Sequence, residues 1–169
     1  MAGYGLSKEH HLSTILQQSL KLKGHSIKVI NGSVSGSTSS GGLNRAEWTL
    51  SEPDIDLVVL SLGANDMLRG ITPSETKNNL EEIIKIAQNK NIKVILAGMI
   101  APSSYGIKYK NNFDKIFPDL SKKYKLKFIP FLLKGVAMKA EFNLSDGMHP
   151  NKKGTIIISR TLEEVILNN

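Results

Sequence analysis

Residues 55–62, Ile-Asp-Leu-Val-Val-Leu-Ser-Leu, constrain the fold more than any other stretch. A strand with one wet face alternates apolar and polar residues. A continuous apolar run rich in β-branched side chains instead predicts a strand buried on both faces, as in a parallel sheet. Parallel neighbours need crossover connections, usually helices. The rest of the chain supplies that alternation. Ile27–Ile30, Val94–Ala97 and Leu126–Ile129 are the other expected strands.

Helical patterns lie between them. Leu12, Ile15, Leu16 and Leu20 share a face that stops near Gly24. A loop rich in Gly and Ser runs from Asn31 to Gly42, followed by a helix over roughly 43–51. Thr72-Pro73-Ser74-Glu75 reads as a cap, a first-turn proline and a capping box. Leu80, Ile83, Ile84 and Ala87 are the stripe that follows. Residues 98–107 form a loop. Phe113, Ile116, Phe117 and Leu120 mark another helix, bent at Pro118. Ile158, Leu162, Val165 and Ile166 mark the last one, after Pro150. This order predicts an α/β domain with a parallel sheet covered on both faces.

Bulk properties narrow the function classes. The chain has 169 residues, 40% apolar and 22% charged, as expected of one globular domain. No apolar run approaches the roughly 20 residues of a membrane span, and Met1-Ala2-Gly3-Tyr4-Gly5 is not a signal peptide. Without cysteine there is no disulfide, thiolate chemistry or Cys-based metal site. A net charge of +7 invites a nucleic-acid reading. The lysines are scattered, however, and the densest run, Lys122 to Lys127, sits where a helix ends and a strand begins. The dipole favours lysine there, so a solvated basic surface is expected and no nucleic-acid partner. His10 and His11 are adjacent, point in different directions on a helix, and read as surface residues rather than ligands.

In parallel sheets ligands bind beyond the carboxyl ends of the strands. Three chemical stretches fall there: Ser35-Gly36-Ser37-Thr38, Gly63-Ala64-Asn65-Asp66 and Asp146-Gly147-Met148-His149-Pro150. Imidazole titrates near neutral pH, so His149 is the natural general base. Asp146, three residues earlier across a glycine turn, would fix its tautomer and stabilise the imidazolium. A bare Asp-x-x-His is more often a turn beside an exposed histidine; Pro150 and the two other loops favour catalysis. Gly36 offers an unobstructed backbone N–H and Asn65 a carboxamide N–H, both suited to a developing oxyanion. The plainer readings are a cap or Asx-turn for Asn65-Asp66, and a flexible turn or phosphate-cradling loop for Gly36. That loop is somewhat like a flavodoxin phosphate grip but matches neither GxGxxG nor the P-loop.

Taken together, Ala2-Gly3-Tyr4-Gly5, Val34-Ser35-Gly36-Ser37-Thr38, Gly63-Ala64-Asn65-Asp66 and Asp146-Gly147-Met148-His149-Pro150 resemble the SGNH (GDSL-type) hydrolase superfamily. More narrowly, they resemble its bacterial arylesterase, thioesterase I and lysophospholipase L1 branch. The likeness runs over nearly the whole chain, through Leu68-Arg69-Gly70, Gly98-Met99-Ile100-Ala101-Pro102 with Tyr105-Gly106, and Pro130-Phe131-Leu132-Leu133. It implies a flavodoxin-like three-layer α/β/α sandwich in a single domain over residues 1–169. It also implies a Ser nucleophile, an oxyanion hole of Gly36 and Asn65, and the Asp146–His149 pair. Ser37 stands where relatives often carry Asp. The family's first block reads Gly-Asp-Ser-Leu-x-Ala-Gly-Tyr-Gly, and this chain begins at the x. The nucleophilic Ser, and the first strand between the second and third, are therefore expected upstream of Met1. Four or five buried aliphatic side chains at roughly 1.5–3 kcal/mol each rival the about 5–15 kcal/mol that stabilises a whole domain. A longer parent protein is expected on that ground.

The resemblance implies a serine esterase that hydrolyses acyl esters or thioesters, of arylesterase, acyl-CoA thioesterase or lysophospholipase type. It works through an acyl-enzyme, with no metal or organic cofactor. The 169-residue chain itself is expected to be inert toward esters, with no substitute nucleophile at Ser33, Ser35 or Ser37. The partner is a small acyl ester, thioester or lysophospholipid, and the protein a monomer. By loop position, Leu68, Ile100, Pro102, Tyr105, Tyr109 and Phe131 are the expected acyl-pocket residues. The alternative is a non-catalytic acyl- or phosphate-binding remnant of flavodoxin-like fold. A flavin phosphate in the Gly36 loop would distinguish it, but such a binder has no need of Asp146 and His149. Relatives are often exported, and any export signal would precede residue 1.

Overall fold

The computed structural model describes residues 2–168. In chain order the elements are α1 (Leu12–Leu22), α2 (Ser39–Thr49), β1 (Leu57–Leu60), α3 (Ala64–Leu68) and α4 (Pro73–Asn89). Then follow β2 (Lys93–Ala97), α5 (Ile107–Tyr124), β3 (Lys127–Ile129) and α6 (Lys152–Leu167). They fall into two compact units, Gly36–Phe131 and Met1–Ser35 with Leu132–Asn169.

The Gly36–Phe131 unit is built on a parallel sheet in the order β1-β2-β3. Val58 is in register with Val94, and Leu96 with Phe128. β2 is central, and Val94 to Ala97 are buried. β1 is an edge of this sheet, and Leu57, Val58 and Val59 are only half-buried. The apolar run fixes strand and pairing sense as expected; full burial is reached only at Leu60, and among the described residues β1 is laddered to β2 alone. Thr72 caps α4 by accepting the Glu75 N–H at 3.3 Å, and Leu80, Ile83, Ile84 and Ala87 are buried as expected. α5 buries Phe113, Ile116, Phe117 and Leu120. It runs through Pro118 and ends where Lys125 turns left-handed at φ 52°. α4 packs against both α5 and α2.

α2 starts four residues before the expected 43. Thr38 caps it, accepting the Gly41 N–H at 3.2 Å. Ser39-Ser40-Gly41-Gly42 has loop composition, but Gly42 is small because it is packed: a Cβ there would lie 2.3 Å from Leu62 Cδ1. On the same helix Trp48, the chain's one tryptophan, is 74% exposed.

In the other unit α1 and α6 pack together, burying Leu12, Leu16 and Leu20 with Ile158 and Leu162. Val165 and Ile166, expected in the stripe, are half-buried. The buried neighbour is instead Glu163, 3% exposed, which accepts the Ser19 hydroxyl at 2.7 Å and pairs with Lys23. The pairing lets a carboxyl occupy a core position.

Ile27–Ile30 forms no strand. Gln17 serves this backbone in place of a neighbouring strand: its Nε2 donates to Ile27 O and its Oε1 accepts the Val29 N–H, both at 2.6 Å. Ile27 and Ile30 are exposed. A ladder needs a second backbone, so four expected strands become three among the described residues. His11 is half-buried rather than on the surface. Its Nε2 lies 3.1 Å from Leu6 O, and its ring fills the space where a Cβ on Gly3 would stand. No helix among the described residues is long and apolar enough to cross a membrane.

Candidate active site

Gly147, at φ 69° with open space around its missing Cβ, lets the chain reverse between Asp146 and His149. The Gly147 N–H donates to Leu144 O at 2.9 Å, and the Leu144 N–H to His149 O at 2.7 Å. An antiparallel bridge joins Asn143 to Pro150. Both ends of the turn are tied down. Buried Asn143 donates from Nδ2 to Val136 O and Lys139 O, each at 2.8 Å. Asn151 caps α6 through the Gly154 N–H at 3.1 Å and donates to Glu141 O and Asn143 O.

Within this turn the two carboxyl oxygens of Asp146 divide the work. Oδ1 accepts the Met148 and His149 N–H groups at 2.8 and 2.9 Å. Oδ2 lies 2.8 Å from His149 Nδ1. The two backbone donors, then the imidazole, pull the Asp146 pKa down from 3.8 to about 2. The carboxylate is thus a permanent acceptor that fixes the ring through Nδ1 and leaves Nε2 to move a proton. Tyr4 packs on the same ring.

The other chemical stretches lie in the Gly36–Phe131 unit. Gly63, at φ 109°, turns the chain from β1 into the short helix α3. Asn65 is half-buried there and donates one Nδ2 proton to Ser37 O at 3.1 Å, which leaves its second amide proton for a ligand. Gly36 is exposed at φ 73°, and its carbonyl accepts Arg69 Nη2 at 3.0 Å. Asp66 is fully buried. It accepts the Ser39 N–H at 2.8 Å, the Ser39 hydroxyl, and the Thr76 hydroxyl at 3.3 Å. Sequence reading named neither Asp66 nor Arg69 as a site residue. Their adjacency to Asn65 was the available cue, but nothing in the sequence says which distant segment they hold.

Of the expected acyl-pocket residues, Tyr105 and Tyr109 are brought together, ring centroids 5.7 Å apart. They begin a ladder that continues through Phe113 to Phe117 at 5.8 and 5.6 Å. Tyr109 also donates its hydroxyl to Ile71 O at 2.9 Å. Leu68 is exposed at the end of α3, Ile100 and Pro102 are exposed on a loop, and Phe131 is half-buried. The loop carrying Ile100 and Pro102 is pinned at Ala101. Its N–H donates to Asp114 Oδ1, and its carbonyl accepts Lys110 Nζ, each at 2.8 Å. Asp146 and His149 are thus brought together in one unit. Separately, Asn65 is joined to the Gly36 loop in the other.

Residues 1–155 match the model of the GDSL-like lipase/acylhydrolase family. An arylesterase of Vibrio mimicus is 36% identical over 149 residues, 88% of this chain and 74% of that protein. A thioesterase 1/protease 1/lysophospholipase L1 of Escherichia coli (strain K12) is 32% identical over 151 residues, 89% of this chain and 71% of its own length. Among solved structures, AlinE4, an SGNH-hydrolase family esterase, superposes with a TM-score of 0.82 at 37% identity, covering 99% of this chain and 89% of that one.

Proposed function

Because the chain belongs to the GDSL-like lipase/acylhydrolase family, we propose that it forms the body of a serine esterase acting on acyl esters or thioesters. The observation that carries this reading is the Asp146–His149 pair, with Nδ1 held at 2.8 Å by a carboxyl that is itself locked by two backbone N–H groups. A turn aspartate makes the two backbone bonds on its own account; it is the second oxygen, turned onto His149 Nδ1, that supports the reading of an oriented base.

In this reading the nucleophile is the serine of the family's Gly-Asp-Ser-Leu block. Its hydroxyl adds to the acyl carbonyl as His149 Nε2 takes the proton, and Asp146 stabilises the resulting imidazolium. Negative charge collects on the carbonyl oxygen. Gly36 N–H, Asn65 Nδ2 and the nucleophile's own N–H donate to it. The tetrahedral intermediate collapses to an acyl-serine, and His149 gives its proton to the departing alcohol or thiol. Water then repeats the sequence and releases the acid. Leu68, Ile100, Pro102, Tyr105, Tyr109 and Phe131 line the acyl side, and the substrate is a small ester, thioester or lysophospholipid met by a single-domain monomer.

The test is hydrolysis of p-nitrophenyl butyrate by two polypeptides: residues 1–169 alone, and the same chain preceded by a segment carrying the family's Gly-Asp-Ser-Leu block. Turnover only in the second, abolished in Ser→Ala and His149→Ala variants, is the expected result. Turnover by residues 1–169 that is lost in His149→Ala would overturn the assignment of the nucleophile. No turnover by either would overturn the esterase reading.

A further inference from the structure

We propose that Asp66 is a positioning residue for the oxyanion hole, holding the Gly36 loop at its working distance from Asn65 by way of Ser39. This rests on the esterase reading above, in which Gly36 and Asn65 are the oxyanion donors.

The two donors sit on segments nearly thirty residues apart, so something other than chain continuity must fix their separation. The described contacts show what does. From one short helix and its C-cap, Asn65 takes Ser37 O, Arg69 takes Gly36 O, and Asp66 takes both donors of Ser39. Of the three holds, Arg69 and Gly36 lie at the exposed surface and Asn65 is half-buried. Only Asp66 and Ser39 are both fully buried. Water competes least there, so this hold is the stiffest of the three.

A fully buried carboxyl is costly unless its oxygens are satisfied, and here Ser39 and Thr76 satisfy them. Asn79 Nδ2 adds a second layer, donating to the Ser39 hydroxyl at 3.0 Å. Asp66 is the direct chain neighbour of Asn65, and Ser39 lies three residues from Gly36. Any slip at Asp66–Ser39 therefore changes the spacing of the two donors at once. A misplacement of about 1 Å in such a constellation costs about 10²-fold in rate.

Asp66→Asn keeps the shape but replaces one acceptor oxygen by an NH₂ group, so it cannot receive the two Ser39 donors on separate oxygens as the carboxyl does. In the polypeptide preceded by the family's Gly-Asp-Ser-Leu block, kcat for p-nitrophenyl butyrate should fall about 10–100-fold with KM within about twofold. In an Asn65→Ala background, where the hole is already broken, the same substitution should cost less than about threefold. Equal losses in both backgrounds would show a merely structural role and overturn the proposal.

A second arm does not depend on turnover. In ¹H–¹⁵N spectra of residues 1–169, Asp66→Asn should move the Gly36 and Ser37 amides and the Asn65 side-chain NH₂. Unmoved resonances there would also overturn the proposal. If Asp66→Asn does not fold, Ser39→Ala, which keeps the main-chain bond to Asp66, should move the same resonances by less. Should the wild-type enzyme hydrolyse no ester, the esterase reading falls, and the spectra still decide whether Asp66 sets the loop.

Discussion

The Tyr4 ring lies against the His149 imidazole, centroids 4.4 Å apart and planes tilted by 33°. His149 is therefore restrained from two sides, at Nδ1 by Asp146 and on its face by Tyr4. Ring pairs of this kind contribute about 0.5–1.5 kcal/mol beyond area burial. In the polypeptide that carries the Gly-Asp-Ser-Leu block, Tyr4→Ala should loosen the imidazole and lower kcat about 3–10-fold with little change in KM, whereas Tyr4→Phe should retain the unsubstituted rates. Steady-state kinetics of the two variants checks this, and an unaffected kcat in Tyr4→Ala would remove Tyr4 from the account.

Asp146 gives a pH prediction. Its pKa lies below the ordinary 3.8, at about 2, because native N–H groups bind the carboxylate. A depressed acid stabilises the fold fully above its unfolded pKa, and the contribution disappears as pH falls through the folded value. The turn should keep this support at pH 5 and lose it between about pH 4 and 2. A ¹³C titration of the Asp146 carboxyl should place its midpoint near 2. A midpoint near 4 would mean that the Met148 and His149 N–H bonds do not hold in solution.

Two glycines with positive φ should respond differently to alanine. At Gly63, φ 109°, a Cβ would sit 3.2 Å from Phe117 Cζ and 3.6 Å from Phe113 Cζ, both rings in the core. Backbone strain and crowding together should cost about 2–4 kcal/mol. At Gly147, φ 69°, the Cβ meets nothing within 4 Å, and the cost should be about 1 kcal/mol, from backbone conformation alone. Urea denaturation of the two variants checks the order. Equal losses would show that the aromatic contact at Gly63 is slack.

Glu163 is held below the ordinary 4.5, first by Lys23 and then by Ser19. Lys23→Ala should destabilise the chain by about 1–3 kcal/mol at pH 7, since it leaves a buried carboxylate with one donor. The difference from wild type should shrink on acidification from pH 5 downward, as protonation removes the charge that Lys23 served. A pH-independent difference would point to lost packing of the lysine stem instead.

Much of this fold is written in local signals. The caps at Thr72 and Asn151, the stripes of α4 and α5, and the strand runs behind β1, β2 and β3 each depend on a few neighbouring residues. The turn carrying Asp146 and His149 is equally local, six residues with a glycine where φ is positive. What escaped depends on partners distant in sequence. Ile27–Ile30 has strand composition, but ladder formation needs a second backbone. Ser39 to Gly42 reads as loop until Leu62 is known to press on Gly42. Glu163 and Asp66 are charged residues at buried positions, decided by Lys23, Ser19 and Ser39 across the fold. Composition could place them only on the surface.

Trp48 has an optical consequence. It is the only indole, and three-quarters of it is already in water, so its emission should lie close to that of the denatured chain and be quenched freely by iodide under native conditions. Tryptophan fluorescence would then pass through the folding transition almost unchanged. The chromophores that sense packing are the rings of Tyr105, just before α5, and of Tyr109, Phe113 and Phe117 on it, each against the next in a row that leads into the core. Near-ultraviolet circular dichroism in the tyrosine band is the signal by which this protein reports that it is folded.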